Sequence, residues 1–157
     1  MLLGARDAGA EAQYETGKVI STHTTLGTLG LEQIDILKEN GADLNKVIIG
    51  HVDLSGDIDY ILRLINRGVY VAFDTIGKVN YMPEERRLQM LKEICSRGLS
   101  SRVVMSMDLT RKSHLKVRGG LGYSYLVDSF IPFIKENGIK EKDIENMLVN
   151  NAVEILK

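Results

Sequence analysis

The sequence predicts an α/β fold in which helices cover a parallel β-sheet. Short runs of β-branched and apolar residues alternate along the chain with longer stretches that have the period of amphipathic helices. A glycine stands shortly before each apolar run, where a preceding helix would end in the left-handed conformation. Strand, helix and glycine recurring in this order are typical of βαβ units, which build parallel sheets.

Four runs are predicted to form the strands of this sheet. They cover residues 19–23, 47–51, 69–74 and 103–108. Each is a short and nearly continuous series of apolar or small side chains, as expected for strands that are covered on both faces. We therefore expect four parallel βα units in a single domain.

Helices are predicted between and after these strands, over residues 29–39, 57–66, 83–95, 123–136 and 140–157. Pro83 suits the first turn of its helix because the amide proton that proline lacks is unpaired there in any case, and Pro132 predicts a kink. Residues 1–16 resemble the tail of a helix that precedes the first strand. Five glycines are predicted to end helices in the left-handed conformation: Gly17, Gly41, Gly68, Gly98 and Gly138.

The charge balance argues against a polymeric anion as partner. Twenty Lys and Arg stand against 21 Asp and Glu, so the chain lacks the basic excess that nucleic acid or an anionic membrane surface would require. No run approaches the 18 or so apolar residues of a membrane span, and the first residues do not have the pattern of a secretory leader. Cys95 has no second cysteine to pair with. We expect a cytoplasmic protein with a small-molecule substrate.

Side chains that can bind a metal stand at the carboxyl ends of all four predicted strands: His23, His51, Asp74 and Asp108. Ligands of parallel α/β proteins bind at this edge. A single histidine there is more often structural, but two of the three histidines at equivalent strand ends favour a metal. Capping of the next turn is an equally good interpretation of Asp74. Imidazole and carboxylate suit a borderline-soft divalent cation that keeps a position open for water.

Three motifs at these strand ends resemble the phosphotriesterase family of the amidohydrolase superfamily, and within it the phosphotriesterase-homology branch. Ser21–Thr25, Gly50–Asp53 and Met105–His114 are similar to the family's motifs after its fifth, sixth and eighth strands. Phe73–Lys78 is similar to the segment on its seventh strand. The resemblance extends from about residue 8 to about residue 153.

The resemblance implies a (β/α)8 barrel of the TIM type, of which this chain would be the C-terminal half. A complete barrel takes about 250 residues. Residues 1–157 would form one half-barrel domain, in which 1–16 are the remnant of a preceding helix and 17–157 are four βα units with a C-terminal helix.

The family is a group of hydrolases in which two divalent ions activate a bridging hydroxide against an ester, lactone or phosphotriester. By this resemblance His23 and His51 bind one ion, while Asp108 binds the other and accepts a proton from the hydroxide. The His-x-His pair of the family's first strand and the bridging Lys or Glu of its fourth have no counterpart. Leu54 and Thr75 stand near the places of a proton-shuttling His–Asp pair, which argues against phosphotriester turnover.

The segment after the last strand is rich in basic residues and glycine. Arg111, His114 and Arg118 are candidates for holding an anionic part of the substrate beneath a mobile lid. An equally good interpretation is a solvated basic turn that leads into a helix.

The outer strands of a four-stranded half-barrel leave unpaired backbone groups along both edges. We therefore expect two copies to pair into a homo-oligomer, in which two histidines and one carboxylate could hold one zinc ion per protomer. The leading hypothesis is a zinc-dependent hydrolase that is incomplete or weak as an isolated chain. The alternative is a non-catalytic, self-associating α/β module, truncated or designed, in which the metal site is vestigial.

Overall fold

The computed structural model describes residues 2–157, with side chains from residue 8 onwards. Four parallel strands form one sheet in the order β1-β2-β3-β4. They are β1 (Ile20–Thr22), β2 (Val47–Ile49), β3 (Tyr70–Phe73) and β4 (Val103–Met105). Each is shorter than its predicted run, since residues at one or both ends of the run already belong to the adjoining loops. The predicted α/β class and its four parallel βα units are confirmed.

Helices follow every strand, as the periodicity predicts. They are α1 (Leu2–Thr16), α2 (Gly30–Glu39), α3 (Ile58–Asn66), α4 (Glu84–Ser96), α5 (Ile131–Glu136), α6 (Glu141–Glu145) and α7 (Asn151–Leu156). The five glycines predicted to end helices all have positive φ, between 66° at Gly17 and 94° at Gly138.

A π-helical turn, Leu126–Phe130, leads directly into α5, where the sequence predicts only a kink at Pro132. Proline has no N–H to donate and its ring crowds the carbonyl four residues earlier, so regular α-helical bonding cannot continue through it. The wider turn accommodates that interruption, and its last bond runs from the Ile131 N–H to the Leu126 carbonyl.

The two faces of the sheet are covered unequally. The face that packs against the helices carries side chains from β2, β3 and β4 that belong to the hydrophobic core: Val47, Ile49, Val71, Phe73, Val103 and Met105. Because side chains alternate along a strand, the opposite face carries Ser21, Ile48 and Val104, which are exposed or half-buried. The expectation that all strands are covered on both faces is therefore wrong except for β3, whose residues are all buried.

Both outer strands have an open edge. Within the described residues β1 pairs only with β2, and β4 pairs only with β3. The Gly50 N–H donates to the Thr22 carbonyl, so the polar groups of Thr22 face β2. Those of its neighbour Ser21 face away, since the direction alternates along a parallel strand. None of the described helices is long and apolar enough to span a bilayer.

Cys95 is half-buried on α4 and packs against the core. Burial raises the pKa of its thiol from the ordinary 9.0 to about 12.

Because the thiolate is the nucleophile, we expect iodoacetamide at pH 8.5 to modify Cys95 at least about a hundredfold more slowly in the folded chain than in urea. Mass spectrometry measures both rates, with N-acetylcysteine as the reference for each buffer. Equal rates in the two states would contradict the raised pKa.

Candidate active site

The three side chains predicted to bind metal line one cavity at the carboxyl ends of the strands. His23 directly follows β1, while His51 and Asp108 lie in the loops after β2 and β4. The cavity has a volume of about 230 Å³, and its lining consists of His23, Thr24, Thr25, Leu26, His51, Leu54, Thr75, Lys78, Tyr81 and Asp108. The parallel arrangement thus brings together residues that are up to 85 positions apart in the chain.

The two imidazole rings face each other edge to face. Their centroids are 4.7 Å apart and the ring planes make an angle of 80°. Gln33 on α2 is buried and donates a hydrogen bond of 2.8 Å from its side-chain nitrogen to the His23 carbonyl. This contact fixes the backbone of the first histidine against the helix that follows it.

Asp74 fixes the orientation of His51. Its Oδ1 accepts a hydrogen bond from the His51 backbone N–H at 2.9 Å and lies 2.8 Å from Nδ1 of the same residue. Burial raises the pKa of the Asp74 carboxyl, while His51 opposes that shift. Because this contact occupies Nδ1 of His51, its other ring nitrogen, Nε2, remains available for a ligand. The structure therefore supports a role for Asp74 other than capping the next turn.

His51 and Asp108 have left-handed backbone conformations, with φ of 58° and 45°. Residues with a Cβ seldom adopt this region, and holding one there costs of the order of 1–3 kcal/mol. Strain of this kind clusters where the surrounding fold dictates the conformation. The sequence does not predict this conformation, although Asp and His adopt it more often than most residues that have a Cβ.

Lys78, which sequence analysis did not single out, forms an ion pair with Asp108. The two side chains are only 19% and 32% exposed, so the pair is partly shielded from water. Lys78 comes from the loop after β3, and its position in a βα loop, four residues after Asp74, was the available signal.

A second cavity of about 290 Å³ adjoins the first and shares Lys78, Tyr81 and Asp108 with it. Arg111 and His114, both predicted to bind substrate, line this second cavity. His114 also has a buried Nδ1 without a hydrogen-bond partner. Arg118 is exposed on the next 3-10 turn and lines neither of these two cavities.

The loop that carries His114 is closely packed against itself. A Cβ on Gly120 would lie 2.3 Å from the His114 carbonyl carbon, and the Gly122 N–H donates to the His114 carbonyl at 2.9 Å. Gly120 is therefore required for close backbone approach in this loop.

The donor types of the candidate ligands His23, His51 and Asp108 can be compared with those that metals prefer. Two imidazoles and a carboxylate are donor types that zinc binds. Among the side chains of residues 8–157, however, no three His, Cys, Asp or Glu groups are close enough together to hold an ion. Asp108 is also paired with Lys78. The donor types therefore fit zinc, but within the described residues they do not form a complete site.

Gly50 controls the approach of β1 to β2 beside His51. A Cβ there would lie 2.4 Å from the Thr22 carbonyl oxygen and 3.4 Å from Asp74 Oδ2. We expect Gly50→Ala to lower the free energy of unfolding by about 1–3 kcal/mol, because the backbone must shift to make room, and to change the imidazole NMR signals of His51. Urea denaturation and proton NMR measure the two effects.

The matched control for this substitution is Gly9→Ala on α1. A Cβ at Gly9 would meet no other atom within 4 Å, so alanine should stabilise that helix by up to about 1 kcal/mol. Unchanged stability of Gly50→Ala, with His51 signals identical to those of the unsubstituted chain, would contradict the close contact.

Comparison with known proteins identifies the family of this chain. The model of the phosphotriesterase family matches residues 5–156. The phosphotriesterase homology protein of Escherichia coli (strain K12) is 49% identical over 144 residues, which are 92% of this chain and 49% of that protein. The N-acetyltaurine hydrolase of Dictyostelium discoideum is 35% identical over 95% of this chain and 44% of its own length. The phospho-furanose lactonase of Mycoplasmopsis synoviae is 31% identical over 98% of this chain and 46% of its own length.

A solved structure gives the same result for the fold. The crystal structure of the Escherichia coli phosphotriesterase homology protein, complexed with phosphate in its active site, superimposes with a TM-score of 0.93 at 48% identity. The match covers 95% of this chain and 51% of that one. The chain thus spans about half the length of the relatives it matches, and its four βα units form a half-barrel. On both the sequence match and the fold, the chain belongs to the phosphotriesterase family.

Proposed function

We propose that this half-barrel carries part of the active site of a metal-dependent hydrolase that cleaves an ester or lactone bond in a small, anionic substrate. The observation that carries the proposal is the meeting of His23, His51 and Asp108 in one cavity at the carboxyl ends of the strands. Relatives named as hydrolases, one of them a phospho-furanose lactonase, support it. A cytoplasmic location stays a prediction.

The two histidines would hold one divalent ion, for which zinc is the best candidate. When bound, such an ion lowers the pKa of water and polarises the oxygen of the bond to be cleaved. His51 is oriented for this by Asp74, which lies 2.8 Å from its Nδ1. Asp108 would accept the proton from the attacking water, because its carboxylate lines the same cavity as both imidazoles.

The neighbouring cavity would hold the anionic part of the substrate. Lys78, Arg111 and His114 all line it, and their donors suit a phosphate or carboxylate group. Arg118, on the exposed turn that follows, would contact the anion only if the loop closed over the cavity. The two cavities share Lys78 and Asp108, so a substrate can place its anion in one and its reacting bond in the other.

The isolated chain should be a weak enzyme, because it lacks some of the metal ligands. We expect slow, zinc-dependent hydrolysis of an aryl ester or a lactone, reduced at least about a hundredfold by His23→Ala or Asp108→Ala. Turnover of an N-acyl amide is measured alongside to identify the bond type. Asp59→Ala is the matched control, since Asp59 is an exposed carboxylate on α3.

Arg111→Ala should raise the KM for a phosphorylated lactone and leave the KM for a neutral lactone unchanged. Activity that survives both His23→Ala and Asp108→Ala would defeat the proposal. Absence of both zinc binding and turnover would favour the alternative, a non-catalytic module with a vestigial metal site.

We further propose that the isolated chain pairs with a second copy through its sheet edges. The open edges of β1 and β4, with a partly exposed sheet face between them, suit completion of eight strands. Sedimentation velocity at micromolar concentration should show a dimer. Ser21→Pro should yield a monomer, because proline removes the Ser21 N–H that faces the open edge without affecting the bonds to β2. A wild-type monomer at that concentration contradicts the pairing.

A further inference from the structure

Arg87 is a fully buried cation that the proposed hydrolysis does not use. It lies on α4, and its side chain is 0% exposed. Burying a charge is unfavourable unless partners compensate it, and an apolar side chain of similar size would often stabilise a core as well. The contacts of Arg87 show what its charge accomplishes in this fold.

Every nitrogen of the Arg87 guanidinium donates a hydrogen bond. Nε donates to Asp53 Oδ2 at 2.7 Å. Nη1 donates to the Met82 carbonyl at 2.6 Å and to Glu84 Oε2 at 3.2 Å. Nη2 donates to the carbonyl of Thr75 at 2.9 Å and to its hydroxyl at 2.8 Å. Such a set needs the planar fork of an arginine, since a lysine ammonium has only three donors on one atom.

Two of these acceptors bracket the loop between β3 and α4. The Thr75 carbonyl lies near its beginning and the Met82 carbonyl near its end. Between them, the Gly77 N–H donates to Glu84 Oε1 at 2.6 Å, while the other oxygen of Glu84 contacts Arg87. One guanidinium and one carboxylate therefore hold both ends and the middle of this loop.

The same guanidinium also connects this loop with the preceding one. Asp53 follows His51 by two residues, and its Oδ2 accepts from the Thr75 hydroxyl at 2.5 Å as well as from Arg87. Asp53 and Thr75 are buried, so water does not compete for these bonds. The loops after β2 and β3 thus share one buried anchor on α4.

We propose that Arg87 is a positioning residue that sets the shape of the β3–α4 loop and thereby holds Lys78 against Asp108 at the mouth of the site. Lys78 is at the centre of the bracketed loop, and its side chain pairs with Asp108 in the loop after β4. The consequence for substrate binding rests on the proposed function, whereas the effect on the loop does not.

The experiment measures amide hydrogen exchange by NMR in the native chain and in Arg87→Met. The reporters are the amides of Gly77, bonded to Glu84, and Lys78, bonded to the Thr75 carbonyl at 3.0 Å. We expect both to exchange about tenfold faster or more, while amides of β3 keep their rates, because the loop opens without the sheet. Arg97→Met is the matched control, since Arg97 is exposed at the end of the same helix and pairs with Glu93.

Two more variants keep the test decisive if Arg87→Met folds poorly. Glu84→Ala removes the acceptor of the Gly77 N–H and should accelerate amide exchange in the same loop. In this variant the buried Arg87 still has Asp53 as its partner. Arg87→Lys keeps the charge and part of the donor set, so its loop amides should exchange at rates between those of Arg87→Met and the native chain.

Exchange in the loop that is unchanged by both Arg87→Met and Glu84→Ala would overturn the proposal. Acceleration of β3 and loop amides by the same factor would also overturn it, since Arg87 would then serve only global stability. An Arg87→Met chain that is active should show a raised KM for the anionic lactone. A native chain without any hydrolytic activity would contradict the proposed function. The exchange rates alone would then decide the role of Arg87.

Discussion

The contact between the ends of β1 and β2, where the Gly50 N–H donates to the Thr22 carbonyl, is the constraint on which the site depends. It aligns the two strands where each one ends and its loop begins, so that His23 and His51 lie side by side. The Asp74 carboxylate then holds the second imidazole in place. The close approach of the two strands thus depends on one residue without a side chain, Gly50.

Much of the architecture could be predicted because it follows from local periodicity. Alternation of apolar runs with helical stretches predicts parallel βα units, and parallel units bring every strand end to one edge. His23, His51 and Asp108 could therefore be assigned to one site. The ion pair of Lys78 and the buried contacts of Arg87 could not, since both join residues from different loops whose paths depend on tertiary packing. Only the pair of Glu84 and Arg87, three residues apart on one helix, has a spacing that marks the two as partners.

The open sheet face relates the stability of the half-barrel to its function. Ile48 and Val104 are only half-buried there, although an apolar side chain gains stability in proportion to the area removed from water. The edge groups of β1 and β4 are likewise unpaired within the described residues. Further strands paired with these edges would also bury this face, so the folding stability of the half-barrel should increase on such pairing.

Cations of the half-barrel pair with carboxylates both in its buried layer and at the mouth of the candidate site. In the buried layer Arg87 pairs with Asp53 and Glu84, and at the mouth Lys78 pairs with Asp108. The buried set is almost fully shielded from water, so it is costly to rearrange, whereas the pair at the mouth is partly hydrated and can exchange partners at a lower cost. A metal cation that binds Asp108 has to displace the Lys78 ammonium or share the carboxylate with it. A displaced ammonium would still line the cavity that Arg111 also lines, where it could pair with an anionic group. Binding of a metal and binding of an anionic substrate should therefore favour each other at this mouth.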